Sequence, residues 1–409
     1  MRRLPLSDQL PYAFRPPRVV PLLVRLARPI IRRKLRREQL VHEVEAQGAE
    51  PLREPLEKGD GLLIAPNHAD NADGGVMFLA AGVVGRPFCY MVAYQLFNGL
   101  SRYELPWLGA FPVDREGSDL RAFKAGVEVL ASGRCPLVVF PEGEVYHTAD
   151  RLTPLRDGAA ALAIAAARRR AEGKGTVRIV PTAIKYRFLD GHDPTPPLRA
   201  LMDELEGRFT WWPRTDRDLV ARIYGFAEAM LALKELEYLG EVRRGPIPER
   251  LRALRSTILD RIEGLRLGRH GDGPVPGRVK ELRHACLEAL ADPATTPEGA
   301  AALRRDLNDL FVVVQLYSYP GDYVAECPTA ERVSETLLKF RQDVFNTTEM
   351  AAPRTPRRAI VRFGAPIDVA PSLAGPSRPR AAASALTAEL EHGIQSLLDA
   401  LGPGRPLSP

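Results

Sequence analysis

Gly61-Leu62-Leu63-Ile64-Ala65-Pro66-Asn67-His68-Ala69-Asp70-Asn71-Ala72-Asp73 is the stretch that decides how this 409-residue chain folds. A short apolar run over 62–65 reads as a buried strand, and Pro66 and the polar, turn-prone residues after it end that strand. Further strands are expected at 88–92, 137–140, 177–184 and 360–363. Between them, 119–130 and 158–170 have helical composition. Alternating strands and helices predict an α/β fold, a sheet with helices on its faces. Functional groups would then sit where strands end and loops begin.

Outward from this core the pattern changes twice. On the C-terminal side, five helical candidates follow one another at 219–239, 248–267, 279–290, 298–316 and 330–345. They are separated by breaks such as Gly271-Asp272-Gly273-Pro274 and Tyr319-Pro320-Gly321. This is a mainly helical insertion before the last strand. On the N-terminal side lies a basic arm. The first 40 residues hold 11 Lys/Arg against Asp8 and Glu38, a local net of +9 in a chain whose total is +6. Its apolar residues Val19, Val20, Leu22, Leu23, Leu26, Ile30 and Ile31 are followed by Arg32, Arg33, Lys34, Arg36 and Arg37. Such an arm can lie in an anionic lipid interface or pack on the domain with a solvated basic face. The expected organisation is arm 1–50, α/β core 51–190, helical insertion 191–355, last strand and C-terminal helix 356–400, and a disordered tail 401–409.

Several classes are disfavoured. Basicity confined to one end, rather than carried on the folded domain with aromatics to stack bases, argues against nucleic acid as a partner. No G-x-G-x-x-G or G-x-x-x-x-G-K-[ST] loop and no G-x-S-x-G elbow occurs. Cys89, Cys135, Cys286 and Cys327 form no C-x-x-C pair, so no metal site is expected, and four reduced thiols in a reducing cytoplasm are the expectation. After Met1-Arg2-Arg3 no unbroken apolar segment follows, so neither a cleaved signal peptide nor a spanning helix is expected.

Four segments carry chemistry. A histidine takes a proton from a hydroxyl near neutral pH, and a carboxylate on its other nitrogen fixes its tautomer. His68 and Asp73 fit these roles only if His68 lies outside a helix, because positions i and i+5 sit roughly 140° apart on one. The second segment, Gly109-Ala110-Phe111-Pro112-Val113-Asp114-Arg115, places an arginine fork after a Gly-aromatic turn. The third, Phe140-Pro141-Glu142-Gly143-Glu144, ends a strand in a turn with a carboxylate. The fourth, Val180-Pro181-Thr182-Ala183-Ile184, is an apolar strand whose proline implies an edge, a strand start or a loop junction. His147 reads as a solvated loop residue.

In this order the segments resemble the four blocks of the glycerol-3-phosphate and lysophosphatidate acyltransferase superfamily: HxxxxD, GxFxxxR, FPEG and a VPxxI-like strand. Val361 to Ile367 is similar to the family's last-strand segment. The resemblance implies an acyltransferase-type mixed sheet and transfer of a fatty acyl group from an acyl thioester, acyl-CoA or acyl-carrier protein. The acceptor would be a hydroxyl of a glycerol phosphate or lysophospholipid. It implies His68 as general base and Asp73 as its orienting partner. Arg115, its turn shaped by Gly109 and Phe111, would bind the acceptor phosphate, and Glu142 and Gly143 would position the glycerol. No metal or cofactor is implied, and the place of action would be the cytoplasmic surface of a membrane, held peripherally. Many members follow FPEG with Thr-Arg-Ser, where this chain has Glu144-Val145-Tyr146. Tafazzin-type transacylases also lack that triplet, so acyl exchange between phospholipids stays open. So do hydrolysis and lipid binding without catalysis. The insertion could cover the acyl chain, meet the bilayer or bind a carrier protein.

Overall fold

Leu62 and Ile64 pack into one hydrophobic cluster and Leu63 and Ala65 into another, as the two-residue period of a strand buried on both faces requires. In the computed structural model the structure is described for residues 12–115, 119–170, 175–347, 350–373 and 379–407. The chain forms two units, one of Gln9–Asp193 with Ala352–Arg405 and a second built mainly from Pro194–Ala351.

The first unit is a mixed α/β sandwich. Its strands are β1 (Val41–Gln47), β2 (Gly61–Pro66), β3 (Cys89–Ala93), β4 (Ala110–Val113), β5 (Leu137–Val138), β6 (Val177–Phe188), β7 (Arg357–Phe363) and β8 (Ile367–Asp368). The sheet order is β1-β7-β6-β2-β5-β3-β4, with β8 also on β6. Only β7 and β8 run antiparallel to their neighbour β6; the other pairs are parallel.

Helices α1 (Pro21–Glu38), α2 (Arg53–Glu57), α3 (Asp73–Val84), α4 (Ser101–Trp107), α5 (Leu120–Ser132) and α6 (Gly158–Arg169) belong to this unit. Val24 and Leu35 of α1 and Val76, Met77 and Ala80 of α3 cover the face carrying Leu62 and Ile64. Residues of α5, α6 and the C-terminal helix cover the other. Glycines let α1 settle on α3. A Cβ at Gly75 would come within 3.1 Å of Leu35 Cδ2, and one at Gly82 within 3.2 Å of Arg28 Cζ.

The second unit is helical: α7 (Thr195–Arg208), α8 (Leu219–Leu239), α9 (Ile247–Leu267), α10 (Val275–Ala291), α11 (Pro297–Tyr317), α12 (Tyr323–Glu326) and α13 (Ala330–Phe345). The chain then returns to β7 and β8, and α14 (Pro379–Ala400) closes the α/β unit. Leu254, Ile258, Ile262, Leu282 and Leu310 lie at the helical core. Buried arginines pair with buried glutamates, Arg222 with Glu206 at 2.6 Å and Arg250 with Glu235 at 2.7 Å, so each charge inside has its partner.

Several sequence expectations change. Val41–Gln47 is a strand of the sheet, parallel to β7, although it falls within the stretch read as an arm. Pro181 sits in β6, between β2 and β7, and not at an edge. Its missing N–H costs little there. On that side β6 pairs with β8 through Arg178 and Ile179 and with β7 from Thr182 onward. Pro181 therefore falls where one ladder gives way to the other, and its carbonyl still accepts from Gly364 N–H at 2.8 Å. The unexpected β4 carries Pro112 but is the last strand in the order, where proline is tolerated. Helix α7 was hidden by Pro196-Pro197, which fall in its first turn, where proline is at home.

The cysteine expectation is corrected too. Cys89 and Cys135 are bonded to each other, Cα to Cα 6.3 Å, while Cys286 and Cys327 are free. Cys89 opens β3, and Cys135 lies just before β5, the strand beside it, where Cys89 is in register with Leu137. Their wide sequence separation concealed that adjacency, and the case for a reducing compartment loses its basis. The tail read as disordered is held at its start. Gly402 carbonyl accepts from Lys185 Nζ at 2.7 Å, and Arg405 Nη1 donates to His192 carbonyl at 2.6 Å. Residues 1–11 of the arm and 408–409 of the tail lie outside the described residues.

Candidate active site

β2 ends at Pro66, just past the end of β5 and beside Thr182 in the middle of β6. The next residue extends the ladder with its side chain. Asn67 Nδ2 donates to Ile184 carbonyl at 3.0 Å, and its Oδ1 accepts from Ile184 N–H at 2.6 Å. This fixes the backbone from which His68 projects. A turn follows, and α3 begins only at Asp73. His68 therefore lies outside the helix, and its Nδ1 is 2.9 Å from Asp73 Oδ2.

Asp73 is fully buried and well held. Its Oδ2 also accepts from Asp70 N–H at 2.8 Å, and its Oδ1 accepts from the Tyr186 hydroxyl at 2.5 Å. Its place at the start of α3 puts the carboxylate in the favourable field of a helix N-terminus. Burial nonetheless raises its carboxyl above the ordinary value, with the His68 hydrogen bond opposing the rise. With a proton on Nδ1 facing Asp73, His68 Nε2 keeps its lone pair and can act as a base. The side chain is 20% exposed, and Phe140 stacks on the ring at 4.1 Å between centroids.

Glu142 holds His68 from the other side. Oε1 accepts from His68 N–H at 2.6 Å, and Oε2 accepts from Thr153 N–H at 3.2 Å and from the Thr153 hydroxyl. Burial pushes this carboxyl up to about 7, with the Thr153 hydroxyl bond as the main opposing effect. Both oxygens are thus turned to the protein, so Glu142 braces the backbone of His68.

Arg115 lies beside the same turn, Nη1 donating to Gly143 carbonyl at 2.8 Å and to Glu144 Oε2 at 3.1 Å. Gly143 has φ +76°, the left-handed region that favours glycine, and a Cβ there would fall 2.8 Å from Arg156 Cζ. Gly109 has φ +93°, and a Cβ there would fall 2.6 Å from the Phe88 carbonyl oxygen. Phe111 is fully buried among core side chains, against Phe14. These two shape β4 and the approach to Arg115 from within.

Residues 43–185 match the acyltransferase family. This stretch is an acyltransferase domain. It contains His68, Asp73, Arg115, Glu142 and Gly143, and its match upholds the resemblance read from the four ordered blocks. No curated protein matches the chain.

The candidate site also includes residues that the motifs do not announce. Asp70 Oδ2 accepts from Arg357 Nη1 at 2.8 Å, and the Arg357 guanidinium lies over the Tyr186 ring at 4.2 Å. Burial is the largest single effect and would raise the Asp70 carboxyl, but the charge and hydrogen bond of Arg357, with His147 and the Ala72 N–H, together hold it below the ordinary range. Arg357 could have been found from the sequence. In 357–363 every second residue is inward-facing, and a charge in that phase needs a buried partner. Tyr186 gave no such signal, since a tyrosine in an apolar strand reads as core. His147 is buried rather than solvated, with φ 55°, and its charge acts on Asp70. Among the described residues, one group of potential metal ligands, Asp260, Glu263 and His270, lies in the helical unit. Arg278 pairs with both of its carboxylates.

Proposed function

We propose that this acyltransferase domain transfers a fatty acyl group from an acyl thioester to a hydroxyl of a glycerol phosphate or lysophospholipid, with His68 as general base. The 2.9 Å contact between His68 Nδ1 and Asp73 Oδ2 beside Arg115 is the observation that carries this reading. His68 Nε2 takes the proton as the acceptor oxygen attacks the thioester carbonyl. The carbon–sulfur bond breaks, an ester forms, and the thiolate leaves with the proton that His68 returns. Asp73 steadies the imidazolium in between, and the thioester's good leaving group makes a metal unnecessary.

The setting we infer is the surface of an anionic membrane. Leu22, Leu26 and Ile30 of α1 are 65%, 57% and 68% exposed and recur every four residues, so they form one outward stripe. Arg25, Arg32, Arg33, Arg36 and Arg37 are on the same helix. That combination supports interfacial rather than spanning contact. No helix among the described residues is long and apolar enough to cross a membrane.

Incubation with labelled acyl-CoA or acyl-carrier protein and a panel of lysolipids, read by lipid mass spectrometry, tests the reading. An acylated lipid should form, and His68→Ala should slow it about a thousandfold. Undiminished transfer by His68→Ala removes the base, and free fatty acid as the sole product with every acceptor removes the transferase.

A further inference from the structure

Two guanidiniums and one carboxylate meet at the turn after β5. Arg115 reaches Gly143 carbonyl and Glu144, while Arg156 lies against Gly143 itself. Arg156 is anchored by its own N–H, which donates to Pro141 carbonyl at 2.9 Å. The group is only half covered, since the side chains of Arg115 and Glu144 are 34% and 30% exposed.

Among the described residues, the Nε atoms of both Arg115 and Arg156 are buried and have no hydrogen-bond acceptor. A buried donor left unmade costs about 1–3 kcal/mol, so the protein itself leaves these two guanidiniums only partly satisfied. Phosphate oxygens suit guanidinium forks. Glu144 alters what such a site accepts. Its Oε2 already takes an N–H of Arg115, and its charge cancels one of the two cations. The turn is left with a single net positive charge and a carboxylate that repels a second negative charge on the ligand.

We propose that Glu144, paired with Arg115 at this turn, makes the acceptor site select a singly charged phosphodiester over a doubly charged phosphate monoester. The proposal rests on the acyl-transfer reading and narrows its acceptor to lysophospholipids with an esterified head group. A diester offers two free oxygens and one charge, which the cluster matches. A monoester brings further charge against Glu144.

The experiment compares kcat/KM for lysophosphatidylglycerol and lysophosphatidate of one acyl chain, each in the same neutral micelle. The wild-type ratio should favour the diester about tenfold or more, and Glu144→Gln should lower that ratio about tenfold. Because both acceptors are assayed in one preparation, the ratio does not depend on how much of the variant folds. Arg156→Gln should raise KM for both acceptors and leave the thioester KM unchanged. Preference for the monoester by the wild type, or a ratio untouched by Glu144→Gln, overturns the assignment while acyl transfer stands. Transfer to no lysolipid at all brings down the acyl-transfer reading and this one together.

Discussion

Arg357 Nη1 lies 2.8 Å from Asp70 Oδ2, a contact between residues 287 apart in sequence. The chain leaves the α/β unit for the helical one after β6, and β7 brings this arginine back beneath the His68 turn. Both side chains are buried, so removing one strands the other. Arg357→Leu should destabilise the α/β unit by about 3–5 kcal/mol, measured by denaturant unfolding near neutral pH. Arg357 holds the Asp70 carboxyl low, so its contribution is present above the unfolded value of 3.8 and disappears as pH falls through the lower folded value. The gap between wild type and variant should therefore narrow in acid. A gap that stays constant down to the unfolding pH would contradict the assignment.

Tyr186 is buried and its hydroxyl holds Asp73 Oδ1 at 2.5 Å. Its hydroxyl bond favours the carboxylate form that burial disfavours. Tyr186→Phe should cost about tenfold in kcat/KM, with little change in acceptor KM. The acid limb of the pH–rate profile should move upward, because the Asp73 carboxyl would lose the hydroxyl bond that lowers it and take up a proton at higher pH. A drop in activity with an unmoved acid limb would mean that the tyrosine only packs.

The order of strands and helices was legible because each carries a local signature. The period of 62–65, the turn before Asp73 and the long helices α8, α9, α11 and α13 follow from neighbouring residues alone. What escaped depends on distant partners. Cys89 and Cys135 meet because β3 and β5 are adjacent, and Tyr186 reaches Asp73 because β6 flanks β2. Pro181 misled for a related reason. A proline's cost in a strand depends on which neighbour occupies the side where its N–H would point, and sheet order alone determines that. Glu142 was visible as a carboxylate, but its inward orientation follows from Thr153.

The outward stripe of α1 yields a prediction independent of catalysis. Leu22→Gln, Leu26→Gln and Ile30→Gln together should weaken sedimentation with vesicles containing phosphatidylglycerol by tenfold or more, since each apolar side chain inserted contributes on the order of 1 kcal/mol. Raising salt should weaken the wild type as well, because the arginines act through a screened field. Val24 and Leu35 carry the packing on α3, so thermal stability should be unchanged by the triple substitution. Equal vesicle binding by wild type and variant at low salt would sink the interfacial role.

Glu142 makes a prediction about stability that runs opposite to that for Asp70. Its carboxyl is raised from 4.5 to about 7 by burial, so the folded state holds a proton that the unfolded chain gives up. The contribution is fully present below pH 4.5 and is lost as pH rises through about 7. Glu142→Gln cannot titrate. Relative to it, the wild type should lose on the order of 3 kcal/mol of unfolding free energy between pH 5 and pH 8. The glutamine also turns an N–H₂ toward either His68 N–H or Thr153, which should loosen the base and lower kcat at every pH. Denaturant titrations of the two proteins at several pH values decide the matter. Parallel stability curves would mean that Glu142 is already ionised throughout this range, held so by the donors from His68 and Thr153.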